Sequence, residues 1–245
     1  MERAKHCLIC FLLFWSFAGI QASYRSDIYA AYVGNKMPGW KNIIDQLETI
    51  ETKSNDLLLE LVNYQYGYIA WCIGNKRNDE AKEYLDLAEN NISVLAKNNQ
   101  NLSIVNSYKS AFYGYRIGLN ILLAPFIGPK SMECAKLAIQ QDAGNPFGYI
   151  QYANIQYFMP SIFGGSKTEA LKFYLKAKDL MEKNEKDIYE NWNYLSLLTV
   201  IAQAYSDIND FQSSRLYFEK ILKREPEFGW VKNELYPQLL MKMRY

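Results

Sequence analysis

Histidine is almost absent from this sequence: His6 is the single copy among 245 residues. Position 6 lies in an N-terminal segment that we expect to be removed, which would leave the remaining chain without histidine. Such a chain cannot build a Ser-His-Asp or Cys-His catalytic site, and it cannot form the usual histidine-ligated zinc or iron centre. The composition therefore predicts no metal site and no cofactor.

Cysteine and net charge are also low. Cys72 and Cys134 are the two cysteines beyond the N-terminal segment, too few for a disulfide framework or a cysteine-only zinc site. Both lie in apolar helical patterns, which favours buried free thiols, although an exported location would permit them to pair. Lysine and arginine number 27 against 26 acidic residues, with no basic block, so the charge pattern predicts no nucleic-acid partner.

The first 22 residues have the organisation of a secretory signal peptide. Arg3 and Lys5 give a positive start, residues 7–18 form a short apolar run, and Ile20-Gln21-Ala22 suits a cleavage site. The apolar run is too short to span a bilayer comfortably. The sequence predicts a periplasmic or secreted protein with no stable membrane span after cleavage. A lipid anchor or an uncleaved N-terminal anchor is less favoured.

Beyond residue 23, apolar residues recur with helical spacing. Trp40, Ile43, Ile44 and Leu47, for example, follow the i, i+3, i+4, i+7 pattern of an amphipathic helix. No stretch alternates with period two over the length of a strand, so the predicted fold class is all-α. Helix breaks are predicted at turn-forming residues, with one helix closed by Pro125, the next opened by Gly128-Pro129, and a C-terminal capping helix kinked at Pro237.

One turn, at residues 160–167, is especially well marked. Pro160 ends a helix, two glycines give backbone freedom, and Ser166 can cap a helix that begins near Lys167. The turn is not a phosphate loop, because Ser166 separates glycine from lysine and no strand precedes it. A helix N-terminus beside a lysine could still hold an anionic group of a partner. Alternatively, this is a long turn with Phe163 in the core. The candidate loop residues are Pro160, Phe163, Gly164, Gly165, Ser166 and Lys167.

The segment from residue 198 to 226 resembles a tetratricopeptide repeat. The residues that carry the resemblance are Ala202, Tyr205, Asn209, Asp210, Phe211, Ser214, Phe218, Ile221 and Pro226. Asn209, Ser214 and Ile221 depart from the usual glycine, alanine and alanine. Alanine-spaced helices around Ala81, Ala135 and Ala170 look like further, degenerate repeats, as in exported tetratricopeptide-like proteins of Bacteroidota. The resemblance implies a single domain at 23–245, an α-solenoid of antiparallel helix pairs wound into a right-handed superhelix.

In tetratricopeptide arrays the first helix of each pair lines a concave surface, so aromatic residues there would form a groove for a peptide or polymer. The alternative is that these rings serve helix packing. Arg116 could grip an anionic group, or it could form an internal salt bridge. The candidate groove residues are Tyr64, Tyr68, Trp71, Tyr108, Tyr115, Arg116, Tyr149, Tyr152 and Trp192.

Together these patterns predict an exported, non-catalytic scaffold or adaptor that binds a protein or peptide partner. The first alternative is a small-ligand carrier, such as the helical partner of a transporter, with its ligand beneath the loop at residues 160–167. The second alternative, less favoured, is a carbohydrate-active enzyme, because paired carboxylates alone can hydrolyse glycosides.

Overall fold

The structure is a computed structural model that describes residues 24–99 and 101–244. The predicted signal peptide, residues 1–22, lies outside the described residues. All regular structure in the described residues is helical, which confirms the all-α prediction. The helices are α1 (24–33), α2 (Met37–Glu48), α3 (Asn55–Gly74), α4 (Asn78–Lys97), α5 (Leu102–Leu119), α6 (Ala124–Gln141), α7 (Pro146–Phe158), α8 (Lys167–Met181), α9 (Glu185–Ile188), α10 (Trp192–Asp207), α11 (Phe211–Arg224) and α12 (Tyr236–Lys242).

Side-chain caps begin several of these helices. The Ser54 hydroxyl accepts a hydrogen bond from the Leu57 amide at the start of α3, and the Asn145 side chain accepts one from the Phe147 amide at the start of α7. Asp210 caps α11 in the same way. Each cap satisfies an amide that has no partner within its helix, so short polar segments fix where the helices start.

The most extensive contacts join helices that follow each other in the chain: α3 with α4, α5 with α6, α7 with α8, and α10 with α11. Small residues lie at these contacts and are fully buried, namely Ala81, Ala88, Ala135, Ala138, Ala170, Ala177 and Ser214. A small side chain lets a neighbouring helix approach closely, and large rings such as Tyr174 fill the remaining space. The alanine spacing in the sequence therefore corresponds to helix contact surfaces.

The contact between α5 and α6 also uses buried serines. The Ser110 hydroxyl donates to the Ser131 carbonyl oxygen at 2.9 Å, and the Ser131 hydroxyl donates to the Ser110 carbonyl oxygen at 2.8 Å. These reciprocal bonds satisfy both hydroxyls without water and hold the two backbones close together.

Three prolines lie at different helix positions from those predicted. Helix α6 begins at Ala124, so Pro125 lies in its first turn and Pro129 lies inside it. A proline is tolerated in a first turn because the amide it lacks would have no partner there. At the C-terminal end, a π-helical turn at Val231–Leu235 precedes α12, and Pro237 lies in the first turn of α12. The irregularity expected at Pro237 is thus a change in helix type just before it.

Candidate functional site

Many of the aromatic residues predicted to line a groove lie in the interior. Tyr64, Tyr68, Tyr108 and Trp192 are buried, and their rings are covered by neighbouring helices. Tyr68 stacks on Trp71, which is half-buried and lies beneath the Arg77 guanidinium. The structure therefore places this part of the predicted groove in the packed core.

The centre of the aromatic interior is Tyr66, which the sequence interpretation did not select. Its ring lies 5.8 Å from the ring of Tyr108, 5.5 Å from Tyr115, 6.0 Å from Phe147 and 6.0 Å from Trp192, measured between ring centroids. Helices α3, α5, α7 and α10 thus meet at one tyrosine. Tyr66 lies between Tyr64 and Tyr68 in the same helix, and nothing in its local pattern marks it as a meeting point.

Three other predicted groove residues lie closer to the surface. Tyr149 and Tyr152 are half-buried and pack on Phe173 of α8, with ring centroids 6.2 Å and 4.5 Å apart. Arg116 donates to both carboxylate oxygens of Glu89, at 3.1 Å and 2.6 Å, and also contacts Asp86. Its guanidinium is therefore engaged between α4 and α5 by two carboxylates, as in the salt-bridge interpretation.

The turn between α7 and α8 is rigid and built from its own backbone. A short 3₁₀ helix at Ser161–Phe163 follows Pro160, and Gly164 has a φ of 95°, the left-handed conformation expected of a glycine there. The Ser166 amide donates to the Gln156 carbonyl at 2.9 Å, so the turn folds back on α7. A Cβ on Gly165 would lie 1.8 Å from the Met159 carbonyl oxygen, which no side chain could tolerate.

This rigid turn presents apolar side chains to solvent. Phe158, Ile162 and Phe163 are each more than 70% exposed, so Phe163 does not lie in the core as one interpretation of the turn assumed. An open cleft of about 360 Å³ adjoins them, lined by residues between Gln156 and Lys167. Exposed apolar rings on a fixed backbone are unusual for a turn that only reverses the chain.

The turn is fixed to a second helix pair by a polar contact. The Tyr157 hydroxyl donates to Asp207 Oδ2 at 2.6 Å, and the Lys167 ammonium donates to the same oxygen at 2.8 Å. Partial burial by itself raises the pKa of Asp207, but the hydrogen bonds from Lys167 and Tyr157 outweigh burial and lower it. The carboxylate thus stays charged and holds both partners at the end of α10.

A second group of exposed apolar residues lies in the turn between α5 and α6. Ile121, Leu122 and Phe126 are each at least 70% exposed. The helix that the sequence analysis extends to Pro125 ends earlier, so Leu122 does not lie on it. Helix α5 ends at Leu119, where Asn120 adopts an extended backbone and its side chain accepts a hydrogen bond from the Leu122 amide.

The two apolar turns lie at the same end of the molecule. Near the start of both helices, Asn145 before α7 donates to the Ser103 hydroxyl in α5 at 2.8 Å. Further along, Tyr115 of α5 and Gln151 of α7 both contact Tyr66. Helices α5 and α7 therefore run in the same direction, so the turns that follow them lie at the same end of the molecule. We call the six exposed side chains of these turns the apolar edge: Ile121, Leu122, Phe126, Phe158, Ile162 and Phe163.

The described residues contain no metal-binding cluster and no membrane-spanning helix. No group of three or more His, Cys, Asp or Glu side chains there could hold a metal ion. Cys72 is buried and Cys134 is half-buried, and both are free thiols. Among the described helices, none has the length and apolar character needed to cross a membrane.

Comparison with solved structures adds one fact about this architecture. The fold is similar to that of a haemophore. The HusA haemophore from Porphyromonas gingivalis superimposes with a TM-score of 0.58 at 18% sequence identity, over 76% of this chain and 93% of the haemophore. At this identity the likeness shows a shared fold. No protein-family model matches the sequence, and no curated protein matches it.

Proposed function

We propose that this protein is an exported, non-catalytic carrier of a small, flat, apolar ligand of the porphyrin class. The observation that carries the proposal is the rigid turn between α7 and α8, whose exposed apolar side chains adjoin an open cleft. Small-ligand sites are concave and mostly apolar, and this open cleft is lined in part by the apolar side chains of Phe158, Met159 and Pro160. The fold that the chain shares with the HusA haemophore supports the same ligand class.

The residues of the cleft fit the two parts of such a ligand. Phe158, Met159 and Pro160 offer apolar contacts for the face of a macrocycle. Lys167 lies at the rim and is about half exposed, so its ammonium can also pair with a ligand carboxylate. Since the backbone of the turn is already ordered, binding would lose little conformational entropy.

Contacts with the ring system, and not iron ligation, would hold this ligand. The sequence has no histidine after position 6. Tyr157 is the tyrosine in the cleft, and its hydroxyl is bonded to Asp207. Burial and that carboxylate raise the pKa of Tyr157, which disfavours the phenolate that could bind iron. We therefore expect haem and metal-free porphyrin to bind with comparable affinity.

The proposal includes a tetratricopeptide-like stacking of the helix pairs, with α12 as the C-terminal cap. Support comes from the fully buried small residues at each pair contact and from Asn209, whose φ of 63° gives the left-handed turn usually made by glycine. Asparagine adopts this conformation more readily than other non-glycine residues. The adaptor interpretation has less support, because four of its groove residues are buried in the core.

The experiment is a titration of the protein with haem and with metal-free protoporphyrin, followed by absorbance and fluorescence. Phe158→Ala should weaken binding of both compounds by about tenfold or more, because it removes the largest apolar side chain of the cleft. The matched control is Leu216→Ala on α11, an exposed apolar residue outside the cleft, which should leave binding unchanged.

Failure of the unaltered protein to bind either compound would overturn the proposal. Equal losses in the two variants would place the ligand elsewhere. A strong preference for haem over the metal-free ring would contradict metal-independent binding and would implicate the thioether of Met159, the sulfur that lines the cleft.

A further inference from the structure

The six side chains of the apolar edge extend beyond the proposed ligand cleft, whose lining includes Phe158 alone among them. We infer that the apolar edge docks on the surface of a lipid bilayer, with its side chains inserted at the boundary between headgroups and acyl chains. This docking is independent of ligand carriage, since three of the six residues belong to the turn between α5 and α6 and lie outside the cleft.

Exposure sets these residues apart from the rest of the described surface. Their exposed fractions run from 70% to 83%, and all six are aromatic or branched aliphatic. Single exposed apolar residues are normal on a protein surface, and Val94, Leu216 and Met241 are of this scattered kind. Six on two turns at one end of the molecule give that end an apolar character, the pattern of a surface that meets an apolar phase.

Both turns are fixed before any partner arrives. In the turn between α5 and α6, the Leu123 amide donates to the Asn120 carbonyl at 3.1 Å, and the Leu122 amide donates to the Asn120 side chain at 3.2 Å. In the other turn, the Phe163 and Gly165 amides donate to the Pro160 carbonyl at 2.9 Å and 3.2 Å. The exposed side chains therefore cannot withdraw by a simple backbone collapse, and insertion needs no refolding.

Charge around the edge selects a lipid surface as the occupant. The sequence has no acidic residue from position 90 to 132 or from position 143 to 168. Exposed lysines follow each apolar turn, Lys130 one helical turn after Phe126 and Lys167 at the start of α8. Apolar side chains flanked by lysines match the boundary between acyl chains and anionic headgroups.

Three acidic residues of neighbouring helices are already paired with cations. Asp207 is bonded to Tyr157 and Lys167. Asp86 and Glu89 are both bonded to Arg116, one turn before the end of α5. Repulsion between these carboxylates and anionic lipid is therefore reduced by their own cationic partners.

Flotation with lipid vesicles tests the inference. The processed protein is used, and mass spectrometry identifies its N-terminus. In the absence of porphyrin it is mixed with vesicles of phosphatidylcholine alone or of phosphatidylcholine with phosphatidylglycerol. The protein should float with both kinds of vesicle and more strongly with the anionic kind. Leu122→Asp should weaken partitioning by about tenfold or more, because a charge replaces an inserted side chain. Its matched control, Leu216→Asp, makes the same change at an exposed leucine outside the edge and should partition normally.

A second pair of variants tests the charge argument. Lys130→Gln should weaken binding to anionic vesicles by about fivefold and leave binding to phosphatidylcholine unchanged, whereas Lys183→Gln, at an exposed lysine between α8 and α9, should affect neither. Phe163→Asp repeats the apolar test on the other turn, and circular dichroism checks that each variant is folded.

Several outcomes would overturn the inference. Absence of flotation with both vesicles, or equal partitioning of Leu122→Asp and Leu216→Asp, would exclude docking by the edge. A concentration-dependent dimer in solution that Leu122→Asp abolishes, without vesicle binding, would assign the edge to a second copy of the chain. Because Leu122 lies outside the cleft, failure here leaves the lipid-free porphyrin titration unaffected, and failure of that titration leaves vesicle binding unaffected.

Discussion

The Tyr157 hydroxyl lies 2.6 Å from Oδ2 of Asp207, and this hydrogen bond joins the last turn of α7 to the last residue of α10. Lys167, the first residue of α8, donates to the same oxygen at 2.8 Å. One carboxylate thus holds both ends of the turn that presents Phe158, Ile162 and Phe163. The position of the exposed side chains therefore depends on a residue 40 positions or more away in sequence.

Asp207→Asn is expected to destabilise the protein by about 1 kcal/mol near neutral pH, because the charged partner of Lys167 is lost at a partly exposed site. The folded-state pKa of Asp207 is lowered, so its contribution is present above the pKa of the unfolded chain and is lost as pH falls through the folded-state value. Urea unfolding of both proteins should therefore show a difference at neutral pH that shrinks in acid.

Tyr157→Phe is the control for this contact, since it removes one hydrogen bond and keeps the ion pair. Tyr157→Phe should lower the free energy of unfolding less than Asp207→Asn does. A larger share of the pH dependence of stability should remain in Tyr157→Phe. If the difference in unfolding free energy between Asp207→Asn and the unaltered protein stayed constant down to strongly acid pH, the Asp207 carboxylate could not be the source of this pH dependence.

Gly165→Ala should open the turn between α7 and α8, because its Cβ would lie 1.8 Å from the Met159 carbonyl oxygen. Limited proteolysis mapped by mass spectrometry should show faster cleavage at residues 156–167, and porphyrin binding should weaken with it. Gly39→Ala, where an added Cβ meets nothing within 4 Å, should leave both measurements unchanged. Unchanged proteolysis of Gly165→Ala would mean that the turn is not as tightly folded as its hydrogen bonds indicate.

Local chemistry in the sequence predicts this turn well, but not what the turn presents. Pro160, Gly164 and Ser166 are a helix end, a left-handed residue and a helix cap in both the prediction and the structure. Exposure of Phe163 depends instead on which surfaces the neighbouring helices leave uncovered. From sequence alone, an apolar residue in a turn is predicted to lie in the core, because large apolar side chains are usually buried.

The aromatic interior shows the same limit over longer distances. Helical spacing correctly predicts that rings such as Tyr68 and Tyr108 share a face with other apolar residues. It cannot predict that α10 packs on α3, a contact in which the Asn193 side chain donates to Asn63 at 2.9 Å across 130 residues of sequence. This long-range contact buries Trp192, which a local interpretation leaves free to line a groove.

Glu182 provides a separate test of acid sensitivity. Its carboxylate accepts hydrogen bonds from Tyr194 at 2.6 Å, from Lys220 at 2.8 Å and from Lys178 at 2.9 Å. Partial burial raises the pKa of Glu182, but these hydrogen bonds lower it to about 2. A carboxylate with a lowered pKa stabilises the fold at pH values above its unfolded-state pKa. Glu182→Gln should therefore lower the free energy of unfolding by about 1–2 kcal/mol at neutral pH, a figure reduced for solvent screening, and by progressively less below about pH 5.

Urea unfolding from neutral to acid pH checks this, with Glu51→Gln, at an exposed glutamate, as the matched control. The control should differ little from the unaltered protein at any pH. A cost for Glu182→Gln that did not decline in acid would mean that lost packing, and not lost charge, destabilises that variant.

Alanine substitution at two glycines in long helices should change the free energy of unfolding in opposite directions. A Cβ on Gly67 would lie 2.6 Å from Cζ2 of Trp40 and 2.7 Å from Cη2 of Trp192, and both rings are buried. Trp40 cannot retreat easily, because its indole N–H donates to the Tyr64 carbonyl at 3.0 Å. Gly67→Ala should therefore overpack the contact between α3 and α10 and lower the free energy of unfolding by about 1–3 kcal/mol.

Gly114, in the exposed surface of α5, is the matched site, since an added Cβ meets nothing within 4 Å there. Gly114→Ala should raise the free energy of unfolding by about 0.5–1 kcal/mol, because alanine loses less backbone entropy in a helix. Urea unfolding of the two variants measures both signs. If Gly67→Ala were also stabilising, the two tryptophans could not be packed on this glycine. The packing of α10 on α3 at this position would then be wrong.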